Sequence, residues 1–271
     1  MMPISMLRAA LRLPVIRELR EAGAARTFRR APTAANYFFG VYGTFEEAEA
    51  AVPAQAAHSY DTGASGRLYR DRLAEIFPHD YPVLYWLKPM FSERVRRVFD
   101  LGGHVGIANY SYERYLGSLD AIEWKVCDLP AIVEAGRELA ASRGRRGLSF
   151  TTRYEDADGA DVLLASGVLQ YLRPGFLGGL LARLSRPPRD VFVNLLPSTK
   201  HPTFCTLNNV RTAICPYVVV NEKEFVASLE GLGYELVDAW SSPEKRCVIP
   251  LHPERTVEAY RGFYFRKRAL P

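Results

Sequence analysis

Residues Arg97-Val98-Phe99-Asp100-Leu101 run directly into Gly102-Gly103-His104-Val105-Gly106 and then into a stretch with helical spacing. No other feature limits the fold of this chain so tightly. Glycines at a strand exit let the backbone adopt φ above zero and approach a ligand closely. The helix that follows turns its unpaired N–H groups toward the same space. Downstream the pattern repeats: 122–127, 148–152, 161–165 and 190–196 read as short buried strands, with helices predicted over 106–116, 130–142 and 174–184. This alternation predicts βαβ units and a mostly parallel α/β sheet with helices on both faces. After residue 197 a long irregular stretch is expected. A helix at 222–232 ending at Gly233, and strands at 234–241 and 262–267, would supply an antiparallel edge to the same sheet.

The glycine loop alone does not select a ligand, because dinucleotide-binding enzymes use a similar one. Asp100 narrows the choice. A carboxylate two residues before the first glycine accepts hydrogen bonds from a cationic amino group and repels a pyrophosphate. S-adenosylmethionine carries an ammonium and a sulfonium and no phosphate, so it fits better than NAD(P). Asp128 ends the next strand, 22 residues beyond Gly106, where a carboxylate can take both hydroxyls of a ribose; the competing role is a cap for the helix that begins at Pro130. The strand ending Ala165-Ser166-Gly167-Val168-Leu169-Gln170-Tyr171 places Ser166, Gly167 and Gln170 beyond the carboxyl ends of the strands, where ligands of open sheets bind. Tyr154 and its acidic neighbours Glu155 and Asp156 would flank an adenine.

In this order, Asp-x-Gly-Gly-x-x-Gly, then Asp128-Leu129-Pro130, then Ala-Ser-Gly-Val-Leu-Gln-Tyr-Leu, the chain resembles class I S-adenosylmethionine-dependent methyltransferases. More narrowly it is similar to an uncharacterised bacterial group often associated with surface-polysaccharide gene clusters. That likeness rests on Phe39-Gly40-Val41-Tyr42, Tyr81-Pro82-Val83-Leu84-Tyr85-Trp86-Leu87, the glycine loop, Thr206-Leu207-Asn208-Asn209 and Pro216-Tyr217. The resemblance implies a Rossmann-like seven-stranded sheet, S-adenosylmethionine as cofactor and S-adenosylhomocysteine as product. Cofactor contacts are expected from Asp100, Gly102, Gly103, His104, Gly106, Asp128, Leu129, Tyr154, Ser166, Gly167 and Gln170. Small-molecule O-methyltransferases that share the Asp-Leu-Pro triplet often carry a histidine base further along, where this chain has Gln170-Tyr171. An NAD(P)-dependent oxidoreductase and a non-catalytic nucleoside-binding partner protein are the alternatives.

The acceptor, an oxygen or nitrogen of a small molecule, sugar or lipid-linked precursor, is expected over the strand tips. His201, in the segment 197–217, is the candidate general base, because histidine changes protonation near neutral pH. Tyr81, Tyr85 and Trp86, together with Asn208 and Asn209, are candidate acceptor contacts. His104 sits within the loop itself, and His79 precedes the aromatic group.

The first 92 residues read as a separate N-terminal helical region, a lid, pocket wall or dimer surface, ahead of a Rossmann-like domain over 93–271. Leu7, Leu11, Val15 and Leu19 recur at helical spacing over 5–23, with Pro14 expected to kink that helix. Thr44 and Glu47 form a capping-box pattern for a helix through Ala51, further helices are expected over 67–76 and from Pro82 to Phe91, and no strand is predicted before residue 95. The chain's 35 basic and 30 acidic residues are unevenly placed: seven arginines and two glutamates fall in the first 30 residues, so the remainder is formally neutral. A nucleic-acid groove on the main domain is therefore not expected; the helix in residues 1–30 is expected to pack on its own domain or on a second subunit, with peripheral membrane contact as the alternative. The four cysteines form no CxxC pair, and no metal site is expected. With no signal peptide or apolar run of spanning length, the expected location is cytoplasmic.

Overall fold

The computed structural model describes residues 14–29, 37–54, 60–62, 65, 70–210 and 212–268. In chain order its elements are α1 (Pro14–Arg29), β1 (Tyr37–Tyr42), α2 (Phe45–Ala50), α3 (Tyr81–Glu93), β2 (Arg97–Leu101), α4 (Ile107–Leu116), β3 (Glu123–Cys127), α5 (Pro130–Ser142) and β4 (Leu148–Thr151). They continue with β5 (Val162–Ser166), α6 (Phe176–Arg183), β6 (Asp190–Leu196), β7 (Ser198–Thr199), β8 (Phe204–Asn209), β9 (Ile214–Asn221), α7 (Glu222–Glu230), β10 (Tyr234–Ser242) and β11 (Tyr260–Lys267).

Seven strands form one sheet in the order β10-β11-β6-β5-β2-β3-β4. Strands β2, β3, β4, β5 and β6 are parallel, and β11 runs antiparallel to both of its neighbours. This is the Rossmann-like sheet the sequence implies, with one adjustment: the antiparallel strand is second from the edge, and β10 is outermost. Apolar side chains cover both faces, which is why the central strands show no polar alternation. Val98, Trp124, Val126, Phe192 and Tyr264 pack against Val83 and Leu87 of α3 and Ile132 of α5. Phe99, Leu163, Val193 and Phe265 pack on the other face against Leu177 and Leu181 of α6 and Leu229 of α7. Full burial of such side chains contributes about 1.5–3 kcal/mol each. Asp100 shares the parity of Val98, so the strand that fills the core also aims a carboxylate at the sheet's carboxyl edge.

The N-terminal region is not wholly helical, and the stretch after residue 197 is not irregular. β1, β8, β9 and β7 form a second sheet in the order β1-β8-β9-β7, with Tyr37 opposite Asn209 and Phe204 opposite Val219. The strand was hidden because both of its faces are covered. Phe38 packs edge-on against Tyr217, while Phe39 stacks on Phe28 of α1 at 5.6 Å. A two-sided strand of aromatic residues lacks the period-2 signal that marks a half-exposed one.

Elsewhere most elements stand where the sequence places them. The capping box of Thr44 and Glu47 is formed at α2. Residues 70–74 make a 3-10 turn, while 67–69 of the expected helix, like 5–13 of the N-terminal one, lie outside the described residues. α1 is described from Pro14 to Arg29, and the expected kink of the 5–23 helix at Pro14 involves residues outside the described ones. Among the described residues no helix is long and apolar enough to cross a membrane.

Candidate functional site

The exit of β2 is a tight backbone cradle. Gly102 has φ +69° and Gly106 φ +91°, and His104 is itself left-handed at φ +55°. A Cβ built on Gly102 would fall inside Val168, and one on Gly103 inside the Asp100 carboxylate. Side chains are thus excluded at both positions by sterics, and at Gly102 by φ as well. The loop is held from the next strand, since the His104 backbone N–H donates to Asp128 Oδ2 at 2.9 Å. His104 Nε2 lies 3.0 Å from the Ser65 carbonyl, which ties the N-terminal region to the loop.

Two carboxylates face this cradle, Asp100 buried and Asp128 half-buried. Asp100, 1% exposed, accepts the Trp124 indole N–H at 3.0 Å. Burial pushes its carboxyl up to about 7, with the Trp124 hydrogen bond opposing and Asp128 adding to the rise. Asp128 accepts the backbone N–H groups of His104 and Leu129 and is raised to about 6, again chiefly by desolvation. It does not cap α5: the N–H of Ala131 is taken by Asp61 at 2.6 Å. A cationic ligand would recover the desolvation cost of these acids, and a pyrophosphate would add to it.

Both acids line a cavity of about 730 Å³, well inside the range of small-molecule sites. Around the glycine loop its wall comprises Gly102, Gly103, His104, Leu129, Tyr154, Ser166, Gly167 and Gln170; the basic side chains in the lining, among the described residues, are Arg72 and Lys245. Gln170 is 5% exposed, and its Oε1 has no hydrogen-bond partner among the described residues. Such an orphaned acceptor is costly unless a ligand supplies a donor. Leu195, at the exit of β6, also lines the cavity at φ +56°, a backbone strain of the kind found at ligand sites.

The second sheet and the loop after β10 enclose the opposite end. Tyr171 donates to Asn208 Oδ1 at 2.9 Å, and the Tyr217 hydroxyl donates to that of Tyr260 at 2.8 Å. All three tyrosines reach the cavity, as do Arg72, Phe77, His79, Asp80 and Lys245.

Of the residues singled out from the sequence, ten of the cofactor candidates meet in this wall; Gly106 does not reach it and instead opens α4 as its N-cap. The acceptor candidates scatter. His201 is exposed in the turn between β7 and β8, away from the cavity, its backbone N–H bonded to Thr199. That turn lies where β7 pairs with β9, so the segment expected over the strand tips is folded into the second sheet. Tyr85 is 71% exposed, Tyr81 lies against Tyr115, and Trp86 donates to Asp238 on the outer strand β10. None of the three lines the cavity, because α3 packs on the face of the sheet. Asn209 bonds the Phe28 carbonyl, and Asn208 is buried behind Tyr171. The cavity residues that sequence reasoning left without a role, Arg72, Glu244's neighbour Lys245, Tyr171, Tyr217 and Tyr260, come from five separated segments. Among the described residues no group of histidine, cysteine, aspartate or glutamate could hold a metal ion.

Solved structures share this architecture. Magnesium protoporphyrin IX methyltransferase from Synechocystis PCC 6803, with S-adenosylmethionine bound, is similar over 77% of this chain and 93% of its own, at 12% identity and a TM-score of 0.51. The same enzyme with S-adenosylhomocysteine bound aligns over 77% of this chain and 96% of its own, at 11% identity and a TM-score of 0.50. No family model and no curated protein matches the chain. At these identities the likeness establishes the fold.

Proposed function

We propose that this protein is an S-adenosylmethionine-dependent methyltransferase acting on an oxygen or nitrogen of a small molecule. The observation that carries the reading is the pair of acids, buried Asp100 and half-buried Asp128, facing a glycine cradle in one cavity wall. Asp100 would take the ammonium of the cofactor, Asp128 the ribose hydroxyls, and the orphaned Gln170 Oε1 a donor on the base. Tyr154 supplies an aromatic edge beside Asp128, backed by Phe176 at 4.8 Å. The same acids argue against NAD(P), whose pyrophosphate would face the Asp100 carboxylate.

When bound, S-adenosylmethionine supplies an activated methyl group on a sulfonium. The protein's own contribution is placement. The cradle fixes one reactant against the sheet, the second sheet excludes water from the other end, and the tyrosine wall orients an acceptor between them. A lipid-linked or sugar acceptor from a surface-polysaccharide route is one member of the class this cavity could accept. A crystal structure with S-adenosylhomocysteine tests the assignment. Its amino group is expected at Asp100 and its ribose at Asp128; a ligand bound elsewhere would overturn the reading.

A further inference from the structure

A second ionisable pair stands in the cavity wall, well separated in sequence from the glycine loop. His79, 8% exposed, lies in the 3-10 turn Pro78–Asp80, and its Nδ1 is 2.8 Å from Glu244 Oε1. A carboxylate only accepts hydrogen bonds, so Nδ1 carries the proton of the neutral ring and Nε2 keeps the lone pair. Among the described residues Nε2 has no hydrogen-bond partner. The nearest acid, Asp80 Oδ2, is 3.9 Å away, beyond bonding reach. That acid is already engaged by the Phe77 N–H at 2.9 Å and the Tyr112 hydroxyl at 2.8 Å. The ring is also locked in place. Phe77 stacks on it with 4° between planes, and Asn194 Nδ2 holds the His79 carbonyl at 3.0 Å. The other charged groups that face it are Lys245, next to Glu244, and Arg72, whose guanidinium lies 5.4 Å over the Phe77 ring.

We propose that His79 and Glu244 form the proton-accepting dyad for an acceptor whose nucleophile is a hydroxyl oxygen, an inference that rests on the methyltransferase reading above. A hydroxyl must shed its proton as it attacks, whereas an amine attacks with a lone pair it already has and can lose its proton to water afterwards. A positioned base in the cavity wall therefore favours an oxygen nucleophile. The division of labour is the familiar one in which a carboxylate fixes the imidazole tautomer and balances the imidazolium. In the step, the acceptor's O–H bond breaks as its bond to the methyl carbon forms. The proton passes to His79 Nε2, and the electron pair of the sulfur–methyl bond returns to sulfur. Glu244 stabilises the charged ring until the proton leaves to solvent. His79 is the catalytic residue in this scheme and Glu244 the positioning residue.

The test uses the full chain labelled with 15N-histidine, and a panel of phenols and methyl glycosides alongside their amino counterparts with methyl-tritiated S-adenosylmethionine. The His79 signals, identified by their loss in His79→Asn, should show a protonated Nδ1 and a bare Nε2. Glu244→Gln should remove that tautomer preference with S-adenosylhomocysteine affinity unchanged. Tritium should appear in hydroxyl members only, and His79→Asn should lower kcat about 100-fold or more with little change in KM. A protonated Nε2 in the native chain would overturn the dyad. So would transfer to amines alone, undiminished transfer by His79→Asn, or no transfer to any hydroxyl compound while S-adenosylhomocysteine binds. Failure to bind S-adenosylhomocysteine at all would instead strike the methyltransferase reading.

Discussion

Trp124 donates its indole N–H to Asp100 Oδ2 at 3.0 Å, so the largest side chain buried between the sheet and its helices also sets the charge of the acid at the glycine cradle. That bond favours the ionised carboxylate against the burial that opposes it. Trp124→Phe is expected to weaken S-adenosylhomocysteine binding at neutral pH and to restore it in part as pH rises, because Asp100 then needs a higher pH to ionise. Calorimetric titrations at several pH values check this. A loss of affinity that is the same at every pH would show that Trp124 acts through packing alone.

Asp100→Asn keeps the shape of the side chain and removes its charge. The loss of a charge-assisted contact, about 1.5–3 kcal/mol, should weaken cofactor binding by roughly 10- to 100-fold. The unliganded fold should respond in the opposite direction, because an ionised carboxylate no longer has to be buried. The variant should melt higher than the native chain at about pH 8. Equal melting temperatures there, measured by calorimetry without ligand, would contradict the desolvation argument.

The pH dependence follows from the same two acids. Their values in the fold, about 7 for Asp100 and about 6 for Asp128, lie above the ordinary carboxylate value of 3.8. The folded state therefore binds more protons than the unfolded one between those values. The contribution of these groups to stability is fully present below the unfolded value and is lost as pH rises through 6 and then 7. A ligand ammonium reverses the sign by favouring the ionised form. The rise in melting temperature caused by S-adenosylhomocysteine should therefore grow from about pH 5 to about pH 8. A rise that shrinks over that range would contradict the proposed contact.

Gly103→Ala places a methyl group inside the Asp100 carboxylate. Either the acid or the loop must shift, a cost of about 1–3 kcal/mol by the usual scale of overpacking. Cofactor binding should be lost while far-ultraviolet circular dichroism stays native. Normal affinity in this variant would mean that the cradle is not the site.

How much of this was legible beforehand depended on how local the signal was. The central strands, the glycine loop and Asp128 are contiguous motifs whose chemistry is set by their own neighbours, and ten of eleven cofactor candidates reach one cavity. The second sheet was not legible, because Tyr37–Tyr42 is covered on both faces and pairs with a strand more than 160 residues away. The acceptor end is hard to read for a related reason. His201 has the chemistry of a base, but its loop folds outward with β7 and β8. His79 meets Glu244 across 165 residues, through the 3-10 turn and the segment after β10, and no spacing rule joins them.

The central claim is that the cradle between Asp100 and Asp128 holds a phosphate-free nucleoside cation. Calorimetric titration of the full chain at about pH 8, where both acids are ionised, with S-adenosylmethionine and separately with NAD+, tests it most directly. The account predicts saturable one-to-one binding of S-adenosylmethionine and no measurable heat with NAD+. Saturable binding of NAD+ with none of S-adenosylmethionine would contradict it.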